Sequence, residues 1–143
     1  SGGYRLKLGS DAPRITIVVV GVLVPEALEA SEELSEAGIP TDVVCVTSAD
    51  LLFRALQARQ GLASGDDAIL DRLFPNDRAS AIVTVIDGHP HTLSFLGSVW
   101  NTGIASLGVD DFGQSGDVGD LYRHFGIDAD TIVGASLDLS DRS

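Results

Sequence analysis

Residues 14–48, RITIVVVGVLVPEALEASEELSEAGIPTDVVCVTS, contain two apolar runs separated by a segment rich in alanine and glutamate. The runs RITIVVVG (14–21) and IPTDVVCVTS (39–48) carry β-branched residues at both odd and even positions, which is typical of strands buried on both faces. The segment between them has helical spacing. A strand, a helix and a second strand in this order predict a parallel strand pair in an α/β fold.

The intervening segment PEALEASEELSEAG (25–38) predicts an amphipathic helix. Pro25 suits a first helical position, and Gly38 is a typical residue at which a helix ends. Small and apolar side chains recur at spacings of three and four and predict the buried face: Ala27, Ala30, Ser31, Leu34 and Ala37. The glutamates predict a solvated face: Glu26, Glu29, Glu32, Glu33 and Glu36.

The alternation of strand and helix patterns continues through the rest of the chain. YRLKL (4–8) predicts a short strand that the tight turn GSDAP joins to its neighbour, and the two strands are expected to be antiparallel. The other predicted strands are AIVTVID (81–87) and IASLGV (104–109). The other predicted helices are SADLLFRALQARQ (48–60), with Thr47 and Asp50 as a capping box, DAILDRLF (67–74), HTLSFLGSVW (91–100), GDVGDLYRHFG (116–126) and DADTIVGASLDLS (128–140), with Ile132, Ala135, Ser136 and Leu139 on one side.

About five strands with helices on both faces predict a three-layer α/β/α architecture with a mixed, mostly parallel sheet. The 143 residues are enough for one domain with its own core, so we expect a single domain over residues 1–143.

Charge and cysteine content narrow the classes of partner and compartment. The net charge of −12 opposes phosphate backbones and anionic lipid, which argues against nucleic acid and membrane surfaces as partners. The single cysteine, Cys45, cannot form an internal disulfide, and this agrees with a reducing cytoplasm. Its apolar neighbours in DVVCV indicate a buried structural cysteine rather than a reactive thiol.

The first candidate site is IDGHPHT (86–92), which places Asp87, His89 and His91 just after a predicted strand. Ligands of open α/β sheets bind outside the carboxyl ends of strands, so the position suits a site. Aspartate and histidine can ligate a metal ion, but a catalytic zinc site needs three converging protein ligands and Pro90 restricts the two imidazoles. The structural alternative is that Gly88, His89 and Pro90 turn the chain into a helix.

The second candidate is FGQSG (112–116), which contains Phe112, Gln114 and Ser115. It does not match the nucleophile elbow Gly-x-Ser-x-Gly, because the glycine two positions before the serine is missing. Backbone N–H groups of a glycine-rich turn can bind an anion, although four nearby aspartates would repel one. The structural alternative is a turn and a helix cap, with Ser115 or Asp117 accepting from the free N–H groups.

Three blocks in order resemble the C-terminal domain of the transketolase family of thiamine-diphosphate enzymes: VVVGVLVPEALEASEELSEAGIPTDVVCVTSADLL (18–52), IVTVIDGHPHTLSFLG (82–97) and LGVDDFGQSGDVGDLYRHFGIDADTIVGASLDL (107–139). Within that family, YRLKL and DDFGQSGD look most like the homodimeric pyruvate dehydrogenase first component. The chain departs from the family pattern at IDGHPHT, where relatives often place a glutamate and a glycine pair.

The resemblance implies the role of a C-terminal, non-catalytic domain of a longer, homodimeric enzyme. Thiamine diphosphate and magnesium would be held by upstream domains of the same chain, and a pyruvate dehydrogenase-like parent would add a dihydrolipoyl acyltransferase core as a partner. The family's Gly-Asp-Gly cofactor motif is absent; GDD (65–67) and GDV (116–118) are the nearest strings and neither matches. No catalytic, cofactor-binding or metal-binding residue therefore carries over.

Two other functions stay open. One is a free-standing binding module for a small ligand or regulator, which would use the strand-end loops at Asp87, His89, His91 and Phe112 to Ser115. The other is a small metal hydrolase at DGHPH. A concave pocket with a bound ion would favour either of them, whereas an exposed apolar surface over the helices would favour a domain taken from an assembly.

Overall fold

A computed structural model of the chain describes residues 3–7, 15–20, 23–62, 64–74, 81–86, 90–98, 103–107 and 128–142. The strands are β1 (Gly3–Lys7), β2 (Ile15–Val20), β3 (Thr41–Val46), β4 (Ala81–Val85) and β5 (Gly103–Leu107). The helices are α1 (Val24–Glu36), α2 (Ala49–Arg59), α3 (Ala68–Leu73), a 3₁₀ helix (Pro90–Ser98) and α4 (Ala129–Arg142). The predicted helix over 116–126 lies outside the described residues.

The five strands form one mixed sheet in the order β1-β3-β2-β4-β5. The strands β3, β2, β4 and β5 are parallel to one another, and β1 runs antiparallel to β3. The central strand β2 is bonded on both sides, with Ile17 opposite Val43 of β3 and Val83 of β4. The mixed, mostly parallel sheet and its antiparallel first strand are as predicted.

The neighbour of β1 differs from the one that the predicted turn implied. GSDAP suggested a hairpin with the next strand along the chain, but β1 pairs with β3, with Tyr4 opposite Cys45. The physical reason is that both edges of β2 are occupied by parallel partners. The outer edge of β3 is the free edge at this end of the sheet, and β1 occupies it.

Both faces of the sheet are covered by helices, which confirms the three-layer architecture. On one face, α1 and α4 pack against odd-numbered strand residues through buried side chains that include Leu34 and Ile132. On the other face, α2, α3 and the 3₁₀ helix pack against even-numbered strand residues through side chains that include Leu52, Leu70 and Leu93. Helices of this chain therefore cover both faces of the sheet within the described residues.

Helix α1 follows its predicted pattern with two differences at the ends. Ala27, Ala30, Ser31 and Leu34 are buried as predicted. The helix begins at Val24, which puts Pro25 in the second position, and Ala37 is exposed because it is the C-cap, where the chain leaves the helix. Gly38 adopts φ of 83°, and the N–H of Ile39 donates to the carbonyl of Leu34 at 2.8 Å, which is the pattern of a Schellman motif.

The predicted capping box of α2 is wrong by one residue. Ser48, not Thr47, is the N-cap, and its hydroxyl accepts a hydrogen bond from the N–H of Leu51 at 3.3 Å. The extended backbone of Ser48 suits a cap. With Ser48 as the cap, Leu51 rather than Asp50 occupies the third helical position, so a reciprocal box cannot form.

The segment predicted as a helix over 91–100 is a 3₁₀ helix from Pro90 to Ser98. Leu93 and Leu96 are fully buried, and a spacing of three brings them to the same side of a helix with three residues per turn. Phe95 makes an edge-to-face contact with Phe53 of α2, with ring centroids 5.2 Å apart. These contacts fix the 3₁₀ helix beside α2 on the same face of the sheet.

Candidate functional site

The four parallel strands end at one edge of the sheet, at Val46, Val20, Val85 and Leu107. Helices α1 and α2 begin just past this edge, so their N-terminal, partly positive ends lie there. In open α/β sheets this carboxyl edge is where ligands bind. It is therefore the first place in which to look for a site.

Most of the six predicted site residues lie beyond the described part of this edge. Asp87 and His89 lie outside the described residues, as do Phe112, Gln114 and Ser115. His91 belongs to the 3₁₀ helix, where only its backbone is described. All six remain predictions, and so do the metal and nucleophile hypotheses that depend on them.

The strands that precede the two candidate loops, β4 and β5, nevertheless end next to each other. The N–H of Ile86 donates to the carbonyl of Leu107 at 3.1 Å, and Val85 is in register with Leu107. The chain thus enters both loops from adjacent strands at the same edge. Among the described residues, no group of three or more histidine, cysteine, aspartate or glutamate side chains is arranged to hold a metal ion.

Two polar side chains near this edge were not singled out from the sequence. Thr84 is fully buried in β4, and Glu26 lies in the first turn of α1. The Thr84 hydroxyl and Glu26 Oε2 are enclosed and have no hydrogen-bond partner within the described ranges. A threonine inside AIVTV and a glutamate among five give no sequence signal that would have distinguished them.

An ion-pair cluster joins the end of α2 to the start of α3. Arg59 Nε and Nη2 donate to Asp67 Oδ2 and Asp71 Oδ1, each at 2.8 Å. The hydrogen bond from Arg59 lowers the pKa of Asp67, and the hydrogen bond to Asp67 raises the pKa of Arg59. Both shifts favour the charged forms, so the cluster is a structural clamp.

The same contacts involve the two aspartates of GDD (65–67), one of the strings nearest to the family's cofactor motif. Asp66 Oδ1 accepts from the N–H of Ala68 at 2.9 Å, and Asp67 is bonded to Arg59. Both carboxylates are therefore engaged at the start of α3.

Cys45 is buried, as predicted, and lies opposite Tyr4 on the neighbouring strand. A side-chain hydrogen bond with Cys45 is the main cause that raises the pKa of Tyr4 above its ordinary value. A thiol that is 6% exposed and covered by an edge strand is poorly placed to attack a substrate. The two residues lie opposite each other where β1 pairs with β3.

None of the helices in the described ranges is long and apolar enough to span a membrane.

Comparison with known proteins points to one family. A family model described as the transketolase-like TK C-terminal domain matches residues 2–128. The chromosomal transketolase of Cupriavidus necator is 31% identical over 142 residues, which cover 99% of this chain and 19% of that protein. The chain therefore spans about a fifth of the length of this curated relative.

Solved structures agree with the fold. Transketolase from Campylobacter jejuni superposes with a TM-score of 0.71 at 23% identity, over 96% of this chain and 18% of that one. A split-gene transketolase, described as an inactive beta4 tetramer, gives a TM-score of 0.70 at 25% identity over 97% of this chain and 42% of that one. Since the family model covers most of the chain, the protein belongs to the family of transketolase-like C-terminal domains.

Proposed function

We propose that residues 1–143 act as the C-terminal, non-catalytic assembly domain of a longer thiamine-diphosphate enzyme of the transketolase type, which works in the cytoplasm as a homodimer. The proposal rests on one comparison: how much of this chain the match covers, and how much of the relative it covers. The match extends over 99% of this chain but only 19% of the Cupriavidus enzyme. A domain that is matched whole within a much longer enzyme is expected to contribute one part of its function.

The described acidic groups support a non-catalytic role. The carboxylates of the nearest cofactor-like string, GDD (65–67), are used for a helix start and an ion-pair clamp. In the proposed parent enzyme, thiamine diphosphate and magnesium would be bound by upstream domains and would supply the stabilisation of a carbanion. This domain would contribute surface and rigidity.

An assembly role is supported by partly exposed apolar side chains on several elements. On the α1 and α4 layer these are Leu28 and Leu137, and on the edge strand they are Tyr4 and Leu6. Apolar groups left exposed in one domain are available for burial against other domains or a second subunit. The split-gene relative, at 25% identity, assembles as an inactive tetramer, and this precedent separates assembly from activity.

Two alternative functions differ in the protein to which this domain belongs. A 2-keto acid dehydrogenase of the pyruvate dehydrogenase type would use the same domain and add the dihydrolipoyl acyltransferase core. A free-standing binding module would use the loops that contain Asp87, His89, His91, Phe112, Gln114 and Ser115. Both are separated from the transketolase proposal by the size and activity of the native protein.

The test is to probe an extract of the source cells with an antibody raised against residues 1–143. We expect a band several times heavier than the 14.9 kDa of this chain. The protein captured by the antibody is then assayed with a ketose and with a 2-keto acid as alternative substrates. Turnover of the ketose that depends on thiamine diphosphate supports the transketolase parent.

Turnover of the 2-keto acid alone would show that the parent enzyme is a dehydrogenase of the pyruvate dehydrogenase type and not a transketolase. The proposed assembly role of this domain would be unchanged. A single band at 14.9 kDa would overturn the proposal that the chain is part of a longer enzyme. That result would favour the free-standing module.

A further inference from the structure

A cleft of about 250 Å³ lies between β1 and α3, and Gly3 at one end of it is in register with Val46, at the carboxyl edge of the sheet. Arg5 is opposite Val44, whose side chain belongs to the cluster on the α3 side of the sheet, so Arg5 points to that side. Ile69, Arg72 and Leu73 have spacings of three and four and share one side of α3. The described lining residues are Gly3, Tyr4, Arg5, Ile69, Arg72 and Leu73.

Gly3 permits the close approach that forms one end of this cleft. A Cβ at this position would lie 2.7 Å from the carbonyl oxygen of Cys45 and 3.1 Å from Leu73 Cδ1. The first distance is too short for any side chain without a shift of the β-sheet backbone. The glycine therefore lets β1 lie against β3 directly beneath Leu73 of α3.

The charge of the cleft is opposite to that of the whole chain. The net charge is −12, with only nine basic residues, yet two arginines and no acidic residue are among the six described lining residues. Asp71, next to Arg72 in sequence, is bonded to Arg59. Within the described part of the chain, neither Arg5 nor Arg72 forms an ion pair, in contrast to Arg59.

We propose that this cleft binds a small organic oxyanion, a phosphate monoester or a carboxylate with a short carbon chain. Two guanidinium groups supply the forked donors that suit carboxylate and phosphate oxygens. Ile69 and Leu73 supply an apolar wall for the carbon chain. A volume of about 250 Å³ is below that of ordinary drug-sized pockets, which restricts the ligand to a few heavy atoms. The proposal is independent of the proposed function of the parent enzyme.

The test is calorimetric titration of the 143-residue chain with glycerol 3-phosphate, succinate and inorganic phosphate. The variants are Arg5→Gln and Arg72→Gln, and the matched control is Arg54→Gln, an exposed arginine of α2 that does not line the cleft. Each cleft variant is expected to weaken binding by about tenfold or more, because each removes a charge-assisted hydrogen bond. Arg54→Gln makes the same change in net charge and is expected to leave binding unchanged.

The first two ligands also distinguish the source of the oxyanion. Tighter binding of glycerol 3-phosphate identifies a phosphate ester site, and tighter binding of succinate identifies a carboxylate site. The unfolding midpoint of each variant is measured without ligand. Arg72→Lys is included because it keeps the positive charge and loses the forked donors of the guanidinium group. The proposal is overturned if none of the three probes binds, or if Arg54→Gln weakens binding as much as the cleft variants.

Discussion

The side chain of Arg59 connects helix α2 to helix α3. It bonds Asp67 and Asp71 at 2.8 Å each, and it lies at the last position of α2 while both acids belong to the start of α3. Arg59 lies on a different helix from Asp67 and Asp71, so the periodicity of a single element does not relate these positions. This clamp therefore could not be predicted from the sequence, although the helices that it joins could be.

The lowered pKa of Asp67 predicts an acid-dependent loss of stability. Because the pKa is lower in the folded than in the unfolded state, the contribution is fully present above the unfolded value of about 4. It is lost as the pH falls through the folded value. We expect Asp67→Asn to lower the urea midpoint near pH 6, and the difference from wild type to shrink near about pH 3.

The control for this prediction is the same substitution in an Arg59→Gln background, where the hydrogen bond that lowers the pKa is gone. There the pH dependence of the difference should largely disappear. A difference in urea midpoint between wild type and the Asp67→Asn variant that stays constant from near pH 6 to about pH 3 would contradict the assignment.

At the level of single helices, substitution of two glycines by alanine should change the unfolding free energy in opposite directions, because the two glycines have different backbone conformations. Gly38 ends α1 with φ of 83°, a conformation that alanine adopts poorly, although no atom would contact an added Cβ within 4 Å. Gly134 lies inside α4, is exposed and also leaves free space for a Cβ. Gly38→Ala should therefore cost about 1 kcal/mol of unfolding free energy, and Gly134→Ala should add up to about 1 kcal/mol.

Urea denaturation of the two variants and of the double variant measures both effects. The sites lie on different helix segments, so we expect the two changes to add in the double variant. Stabilisation by Gly38→Ala would show that the left-handed turn does not terminate α1 in solution.

The elements were predictable to the extent that their determinants are local. The spacing of Ala27, Ala30, Ser31 and Leu34 predicted the buried face of α1, and β-branched runs predicted β2, β3 and β4. The partner of β1 was not predictable from the turn GSDAP, because it depends on which edge of the sheet is left free. The cap of α2 was wrong because Thr47 and Ser48 are both good caps, and backbone geometry chose between them.

At the scale of the whole molecule, the two apolar clusters share the same strands and should unfold together. Leu34 of α1 is fully buried on one face of the sheet, while Leu28 on the same helix is 37% exposed. Leu34→Ala should lower the unfolding free energy by about 3 kcal/mol, and Leu28→Ala by about 1 kcal/mol or less. Far-UV and near-UV circular dichroism should report one transition at a common midpoint in each case.

Separate transitions for Leu34→Ala would contradict this coupling, since they would mean that the layer of α1 and α4 melts while the opposite layer stays folded. The comparison with Leu28→Ala separates loss of buried contacts from loss of a leucine at any position of α1.

The candidate sites illustrate a different limit of prediction at this scale. The loops at Asp87 and at Phe112 to Ser115 were found because they follow predicted strands, and they remain predictions outside the described residues. The cleft of Arg5 and Arg72 was not found, because its two halves come from distant parts of the chain and meet only after β1 and α3 have packed. A pattern within one segment cannot reveal a surface assembled from two.

Strand β1 is synthesised first but can pair only after β3 has been made. A ribosome makes β1 before β2, α1 and β3, yet Gly3 is in register with Val46 at the end of β3. At roughly 5–20 residues per second, Gly3 waits a few seconds for its partner while the β2, α1 and β3 unit is still being produced. During this interval the first strand, GYRLK, has no strand partner, and its later docking completes one edge of the sheet.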